Sequence, residues 1–276
     1  MTALARREAQ APSTRDFLTG LARAFAGALI FALPMLMTME MWELGFYMAP
    51  GRVALLLVLT LPMLVALSHF GGFRRTAGLR DDIADALVAI VVAAVAGACA
   101  LWLFSVIGGP MSLSESAGKL ILQIPPGALG AMLARSQLGG AGSETEAEPA
   151  SYGGELFLMA VGALFLSFNV APTEEMVLIA YMMSPGQELA LMAATLILMH
   201  ALVYAVEFRG GSPQHDLPAA VLRFTIPGYA IVLMVSLLVL WLFGRLDGFS
   251  SQESLSAVIV LSFPGGIGAA AARLVL

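Results

Sequence analysis

The sequence predicts an all-α protein, a polytopic bundle of membrane helices. The 276-residue chain is 59% hydrophobic and 12% charged, with a mean hydropathy of +0.88, whereas about a quarter of the residues of a soluble domain are charged. Its apolar runs reach the roughly 20 residues that a helix needs to cross a hydrocarbon core. The runs are rich in Leu, Ala and Met and do not alternate with polar residues, which excludes a β-barrel.

Eight apolar runs are separated by short polar breaks, and each is predicted to be a spanning helix. The first run is too long for the apolar region of a secretory signal, so it is counted as a span. The runs cover 17–41, 51–70, 83–107, 117–135, 154–183, 186–208, 218–243 and 254–275.

Basic residues indicate the orientation, because Lys and Arg concentrate on the cytoplasmic side of a membrane. Of the 14 basic residues, only Arg52, Lys119 and Arg245 fall at one set of helix ends, and the others fall at the opposite set. We therefore expect a multi-pass protein of the plasma or inner membrane with both termini in the cytoplasm. Its partner is the lipid bilayer. Homo-oligomers are common among such proteins, and no feature of the sequence decides the number of subunits.

The second half of the chain repeats the first. At a shift of 135 residues, 16 of 48 aligned positions are identical without a gap. Four crossings per unit is an even number, so we expect two parallel four-helix repeats related by an axis along the membrane normal. The aligned segments are 27–74 with 162–209, 101–104 with 240–243, and 112–135 with 250–273.

The repeat divides the chain into four parts. Residues 1–16 form a cytoplasmic N-terminal tail, and 17–135 form the first repeat. Residues 136–151 form a cytoplasmic linker, which is Gly-rich and acidic and is therefore expected to be flexible. The second repeat covers 152–276.

The first crossing of each repeat is too long for one passage. More than 30 residues run from Asp16 to Ala49, just before Pro50, and from Gly153 to Ser184, just before Pro185. As helix, each stretch would be about 45–50 Å long, whereas the hydrocarbon core is about 30 Å thick. Within each run a proline is followed by a threonine and then by an acid in the next turn, which is a helix-starting pattern. We therefore predict a broken first helix in each repeat. The residues that form the pattern are Pro34 and Thr38 in the first repeat, and Pro172 and Thr173 in the second.

Two glutamates, Glu40 and Glu175, occupy matched positions after those threonines. A carboxylate at mid-depth costs about 2.5–3.5 kcal/mol on insertion scales, so it is functional unless it reaches the interface. Glu43 and Glu174 are further acids, each present in one repeat only. If the two breaks face each other, the four carboxylates form a cluster that binds cations or takes up protons. If the first helix is a full crossing, the acids only cap helices at the interface.

Three other polar residues are assigned supporting roles. Asn169 precedes the break of the second repeat and would satisfy backbone groups freed there. His200 and Tyr204 lie one turn apart and suit a proton relay, although a single histidine bonded to a neighbouring helix is the simpler interpretation. The sequence does not identify a metal.

These features favour a channel or secondary transporter for cations or protons that uses a pseudo-symmetric pair of intramembrane glutamates. The alternative is a non-transporting scaffold, sensor or assembly factor whose glutamates only cap helices. The sequence contains no familiar catalytic pattern and no basic signature of nucleic-acid binding. We therefore expect neither an enzyme, nor a cofactor, nor a nucleic-acid partner.

The duplicated layout resembles a bacterial family of integral membrane proteins of unknown function. The resemblance rests on Thr-x-Glu-Met ahead of a Pro-Gly pair and on the run N-V-A-P-T-E-E over residues 169–175. It would cover most of the chain, and it implies no binding or catalytic residues.

Overall fold

The computed structural model of the protein describes residues 14–70, 78–109, 111–137, 151–204 and 221–275. Within these ranges the chain is helical and forms no β-strand, so the all-α prediction is confirmed. Most of the tail and of the linker lies outside the described residues. The first half contains α1 (Thr14–Leu36), α2 (Met39–Tyr47), α3 (Pro50–Phe70), α4 (Leu79–Leu103) and α5 (Leu113–Gln137). The second half contains α6 (Tyr152–Val170), α7 (Glu174–Met182), α8 (Pro185–Tyr204), a π-helical turn (Val221–Thr225) that runs into α9 (Ile226–Leu242), and α10 (Ser251–Val275).

Seven helical segments in the described ranges are long and apolar enough to cross a membrane. They are α1, α3, α4, α6, α8, α10, and α9 together with the turn before it. The eighth predicted run, 117–135, lies in α5, which has 25 residues but carries Glu115 and Lys119 in its first turns. Every residue of α5 from Leu122 to Met132 is buried, so other helices rather than lipid surround it. The protein is a polytopic helical membrane bundle.

Glycines bring the inner helix of each half into backbone contact with the first helix of that half. A Cβ atom added to Gly130 of α5 would lie 2.3 Å from the carbonyl oxygen of Gly27 in α1. A Cβ atom added to Gly268 of α10 would lie 2.2 Å from the carbonyl oxygen of Gly162 in α6. Small residues are the usual means by which membrane helices approach this closely. The two contacts occur at positions that the sequence alignment pairs.

The first helix of each half ends and restarts where the sequence predicts a break. In the first half α1 ends at Leu36 and α2 begins at Met39, and in the second half α6 ends at Val170 and α7 begins at Glu174. Each short helix then leads directly into a long helix that begins with a Pro-Gly pair. The order of elements is the same in both halves, and their relation by an axis along the membrane normal stays a prediction.

We expect Gly268→Val to lower the stability of the bundle by about 1–3 kcal/mol, the usual cost of overpacking. The valine side chain has no space against the backbone of Gly162. Thermal unfolding in detergent measures the effect. Gly153→Ala is the control, because no atom lies within 4 Å of the added Cβ. Equal losses in the two variants would contradict the importance of the contact.

Candidate functional site

We call the end of the bundle that holds α2, α7 and the connection between α9 and α10 the break end. The helices that lead to it, α1 and α6, contain 23 and 19 residues. At about 1.5 Å per residue they are roughly 35 and 28 Å long, which matches a hydrocarbon core of about 30 Å. Each first helix is therefore long enough to cross before it breaks, and this length favours a position of the acids near the interface.

Two threonine hydroxyls form hydrogen bonds with the last turns of α1 and α6. Thr38 and Thr173 occupy the N-cap positions of α2 and α7, but neither side chain caps its helix. Thr38 Oγ1 donates to the carbonyl oxygen of Pro34 at 2.5 Å, and Thr173 Oγ1 donates to that of Val170 at 2.8 Å. The hydroxyls therefore bind carbonyls in the last turn of the preceding helix, and the carbonyl oxygen of Val170 also accepts the backbone N–H of Thr173 at 3.1 Å.

The four predicted acids lie on the two short helices. Glu40 is half-buried, whereas Glu43, Glu174 and Glu175 are exposed. The first two belong to α2 in the first half, and the others belong to the first turn of α7 in the second half. Carboxylates from both halves are thus available at the break end.

Three of these acids lie close enough to one guanidinium group, that of Arg245, to affect its pKa, although the sequence did not single this arginine out. Arg245 lies in the connection between α9 and α10 and is half-buried. Burial lowers its pKa, and the carboxylates of Glu174, Glu40 and Glu43 act in the opposite direction. Its Nε atom is buried and has no hydrogen-bond partner among the described residues. We call these three acids and Arg245 the charged cluster.

A second ion pair holds the same connection. Arg52, at the start of α3, donates to Asp247 through Nη1 at 2.6 Å and through Nη2 at 2.8 Å. These hydrogen bonds lower the pKa of Asp247, although the carboxyl group is exposed to solvent. The guanidinium of Arg52 also lies 5.2 Å from the ring centroid of Trp241, and Phe249 packs 5.8 Å from the ring of Tyr181 in α7. The connection that carries Arg245 is thus fixed to both halves.

The supporting residues have separate partners. Asn169 Nδ2 donates to the carbonyl oxygen of Phe165 at 2.7 Å, while its Oδ1 atom is buried without a partner in the described part of the chain. His200 Nδ1 lies 3.0 Å from the hydroxyl of Thr225 in the turn before α9. The side chain of Tyr204 lies outside the described residues, so the relay between His200 and Tyr204 stays a prediction.

The geometry also bears on the chemistry of the acids. Among the described residues, no group of three or more His, Cys, Asp or Glu side chains is arranged to hold a metal ion. The positive group that accompanies the carboxylates is Arg245. The predicted pairing of Glu40 with Glu175 stays a prediction, since the acids that act on Arg245 are Glu40, Glu43 and Glu174.

A cavity between the two halves has an apolar lining. It measures about 200 Å³ and lies between α3, α6 and α9. Thr60 is its one hydroxyl-bearing residue, and this hydroxyl donates to the carbonyl oxygen of Leu56 in its own helix. This cavity therefore offers no polar lining to ions or protons.

Comparison with known protein families gives one match. The model of the family described as "Putative integral membrane protein (DUF2391)" matches residues 20–276. No curated protein and no solved structure matches the chain. The family match covers nearly the whole chain and agrees with the resemblance inferred from the duplicated layout.

The ion pair at the break end predicts a dependence of stability on pH. Because the pKa of Asp247 is lowered in the folded protein from its ordinary value of 3.8, the pair stabilises the fold above that value. The stabilisation is lost as the pH falls through the folded pKa. We therefore expect Asp247→Asn to reduce the melting temperature at pH 7, and the difference from the unsubstituted protein to shrink toward pH 3. A difference that stays constant over this range would contradict the pairing.

Proposed function

The chain belongs to the DUF2391 family of integral membrane proteins, and we propose that it is a channel or secondary transporter for cations or protons with its charged mouth at the break end. The proposal extends the established character of the chain, a multi-pass membrane protein, to a chemical role for its acids. The species that it moves would enter or leave between α2, α7 and the connection that carries Arg245.

The observation that carries the proposal is that acids of both halves lie close enough to Arg245 to affect its pKa. Three carboxylates against one guanidinium leave the charged cluster with an excess of negative charge. Negative charge at a mouth with walls of low dielectric attracts cations and raises their local concentration. Caps for two short helices would not require acids of both halves to lie near one arginine.

Arg245 supplies a positive charge at the same end. Its guanidinium offsets part of the repulsion among Glu40, Glu43 and Glu174. A proton or cation that binds one of these carboxylates would offset that repulsion in the same way. The ion pair of Arg52 with Asp247 anchors the connection that carries Arg245.

A second candidate function is that of a non-transporting scaffold, sensor or assembly factor. The observation that favours it is the length of α1 and α6, each sufficient to cross the core before the break. Glu174 and Glu175 are also exposed, as expected of acids at an interface. In this case the acids of the cluster would stabilise the break end and would move nothing.

The proposed topology follows the distribution of basic residues. Both termini, the tail over 1–16 and the linker over 136–151 would lie in the cytoplasm, and the break end would face the opposite side of the plasma or inner membrane. The two four-helix repeats, 17–135 and 152–276, would then have the same orientation.

We expect purified protein in liposomes to pass cations or protons, and Glu40→Gln with Glu174→Gln to lower the rate by about tenfold, the effect of a barrier about 1.4 kcal/mol higher. The double substitution removes two charges of the cluster and keeps the size of both side chains. Flux is measured with ion-selective and pH-sensitive dyes inside the vesicles.

The control for this experiment is Glu188→Gln, which removes one acid from the start of α8 at the same end. Glu188 accepts a hydrogen bond from Ser256 at 2.6 Å, which the glutamine oxygen would also accept. Equal flux in the unsubstituted protein, the control and the double variant would overturn the site. Absence of flux for every ion would favour the non-transporting alternative.

The topology predicts which positions react from outside the cell. In a Cys99→Ala background, cysteine at Gln252, at the break end, should react with a membrane-impermeant maleimide in intact spheroplasts. Cysteine at Gly153, at the opposite end, should react only after permeabilisation. The reverse pattern would mean that the orientation is inverted.

A further inference from the structure

Polar side chains follow the inner face of α9 and of the turn before it. Thr225, Tyr229 and Ser236 are 5%, 5% and 0% exposed. Their spacing of four and then seven residues places them on one face of a helix. Hydroxyl groups inside a membrane bundle usually bond to a carbonyl of their own helix or to a neighbouring helix, so buried hydroxyls without such a partner need a separate explanation.

The neighbouring helices extend this face on both sides. His200 of α8 contacts the hydroxyl of Thr225 at 3.0 Å, and the hydroxyl of Tyr229 lies 3.1 Å from that of Ser262 in α10. Ser167, near the end of α6, is fully buried and stands seven residues before Glu174. Polar groups therefore run from His200 at one end of the bundle toward the charged cluster at the other.

Gly265 of α10 lies beside two of these hydroxyls. A Cβ atom added there would lie 3.1 Å from Ser167 Oγ and 3.6 Å from Ser236 Oγ. Both hydroxyls are buried without a hydrogen-bond partner among the described residues. A buried hydroxyl that finds no protein partner usually binds an internal water.

The first half builds the same helix contacts without these hydroxyls. A Cβ at Gly127 would lie 3.0 Å from Ala93, and a Cβ at Gly265 would lie 3.1 Å from Val232, the residue aligned with Ala93. The one buried amide of this region in the first half, Gln123, lies beside Gly97. At the positions aligned with His200, Thr225, Tyr229, Ser236, Ser262 and Ser167, the first half has Val65, Ala86, Ile90, Gly97, Ile124 and Ala32.

We propose that the second half contains a hydroxyl-lined proton path that passes Gly265 and connects His200 with the charged cluster at the break end. The inference rests on the proposed function and specifies the moving species as a proton. Each hydroxyl or water accepts a proton from one side and releases one to the other, so no group changes its charge over a full transfer. The helix contacts themselves do not require the hydroxyls, because the first half has glycine or apolar residues at the aligned positions.

The test compares two matched glycine substitutions in liposomes under a pH gradient. Gly265→Ala places a methyl group between Ser167 and Ser236 and should lower the proton flux by about tenfold. Gly127→Ala adds the same group with equal crowding in the first half, where no hydroxyl flanks it, and should leave the flux unchanged. Ser167→Ala with Ser236→Ala removes the hydroxyls without adding volume and should lower the flux as Gly265→Ala does.

Four results would count against the path, and they separate it from the proposed function. Equal losses in Gly265→Ala and Gly127→Ala would show a packing effect and overturn it. Undiminished proton flux in the double serine variant would overturn it while the transport function stands. Absence of proton flux from the unsubstituted protein together with flux of another cation would overturn the path alone, whereas absence of all flux would overturn both.

Discussion

Hydrogen bonding of the backbone decides where a helix of this protein can stop. A bilayer offers no water to the last carbonyls of a spanning helix, so protein groups have to bind them. At both breaks a threonine hydroxyl adds to this bonding, from Thr38 to Pro34 and from Thr173 to Val170. Pro172, which has no backbone N–H, also prevents α6 from continuing through the second break. The chain then forms the short helices α2 and α7, which carry Glu40 and Glu174 at the break end.

The two halves share a layout but use their basic residues differently at the break end. In the first half, Lys119 turns inward, where its Nζ atom donates to the carbonyl oxygen of Val106 at 3.2 Å and lies 3.8 Å from Glu115. In the second half, Arg245 is half-buried, and the charges of acids from both halves affect its pKa. Lys119 thus binds within its own half, whereas Arg245 lies near acids of both halves. The buried hydroxyls of the second half are a further difference. The two halves therefore share the order of their helices but differ in the polarity of their buried residues.

Elements that depend on local signals could be predicted from the sequence. Run length and apolar content indicated the spanning helices, and the prolines before Thr38 and Thr173 indicated the breaks to within one or two residues. The inner position of α5 also follows from a local signal, because Gly127 and Gly130 allow the close helix contacts of an inner membrane helix. Arg245 was missed because the acids that act on it come from distant parts of the chain, although its position at the end with few basic residues was a signal. The hydroxyls of α9 looked isolated, since the inner face of that helix is defined only by packing.

The ion pair of Arg52 with Asp247 has a consequence for biosynthesis. The two residues are 195 positions apart, so at about 5–20 residues per second Asp247 is synthesised roughly 10–40 s after Arg52. During that interval α3 can already be inserted, with its arginine solvated or bound to lipid phosphate. The break end is therefore completed only when the last helices arrive, and the second half folds onto a first half that still lacks one of its contacts.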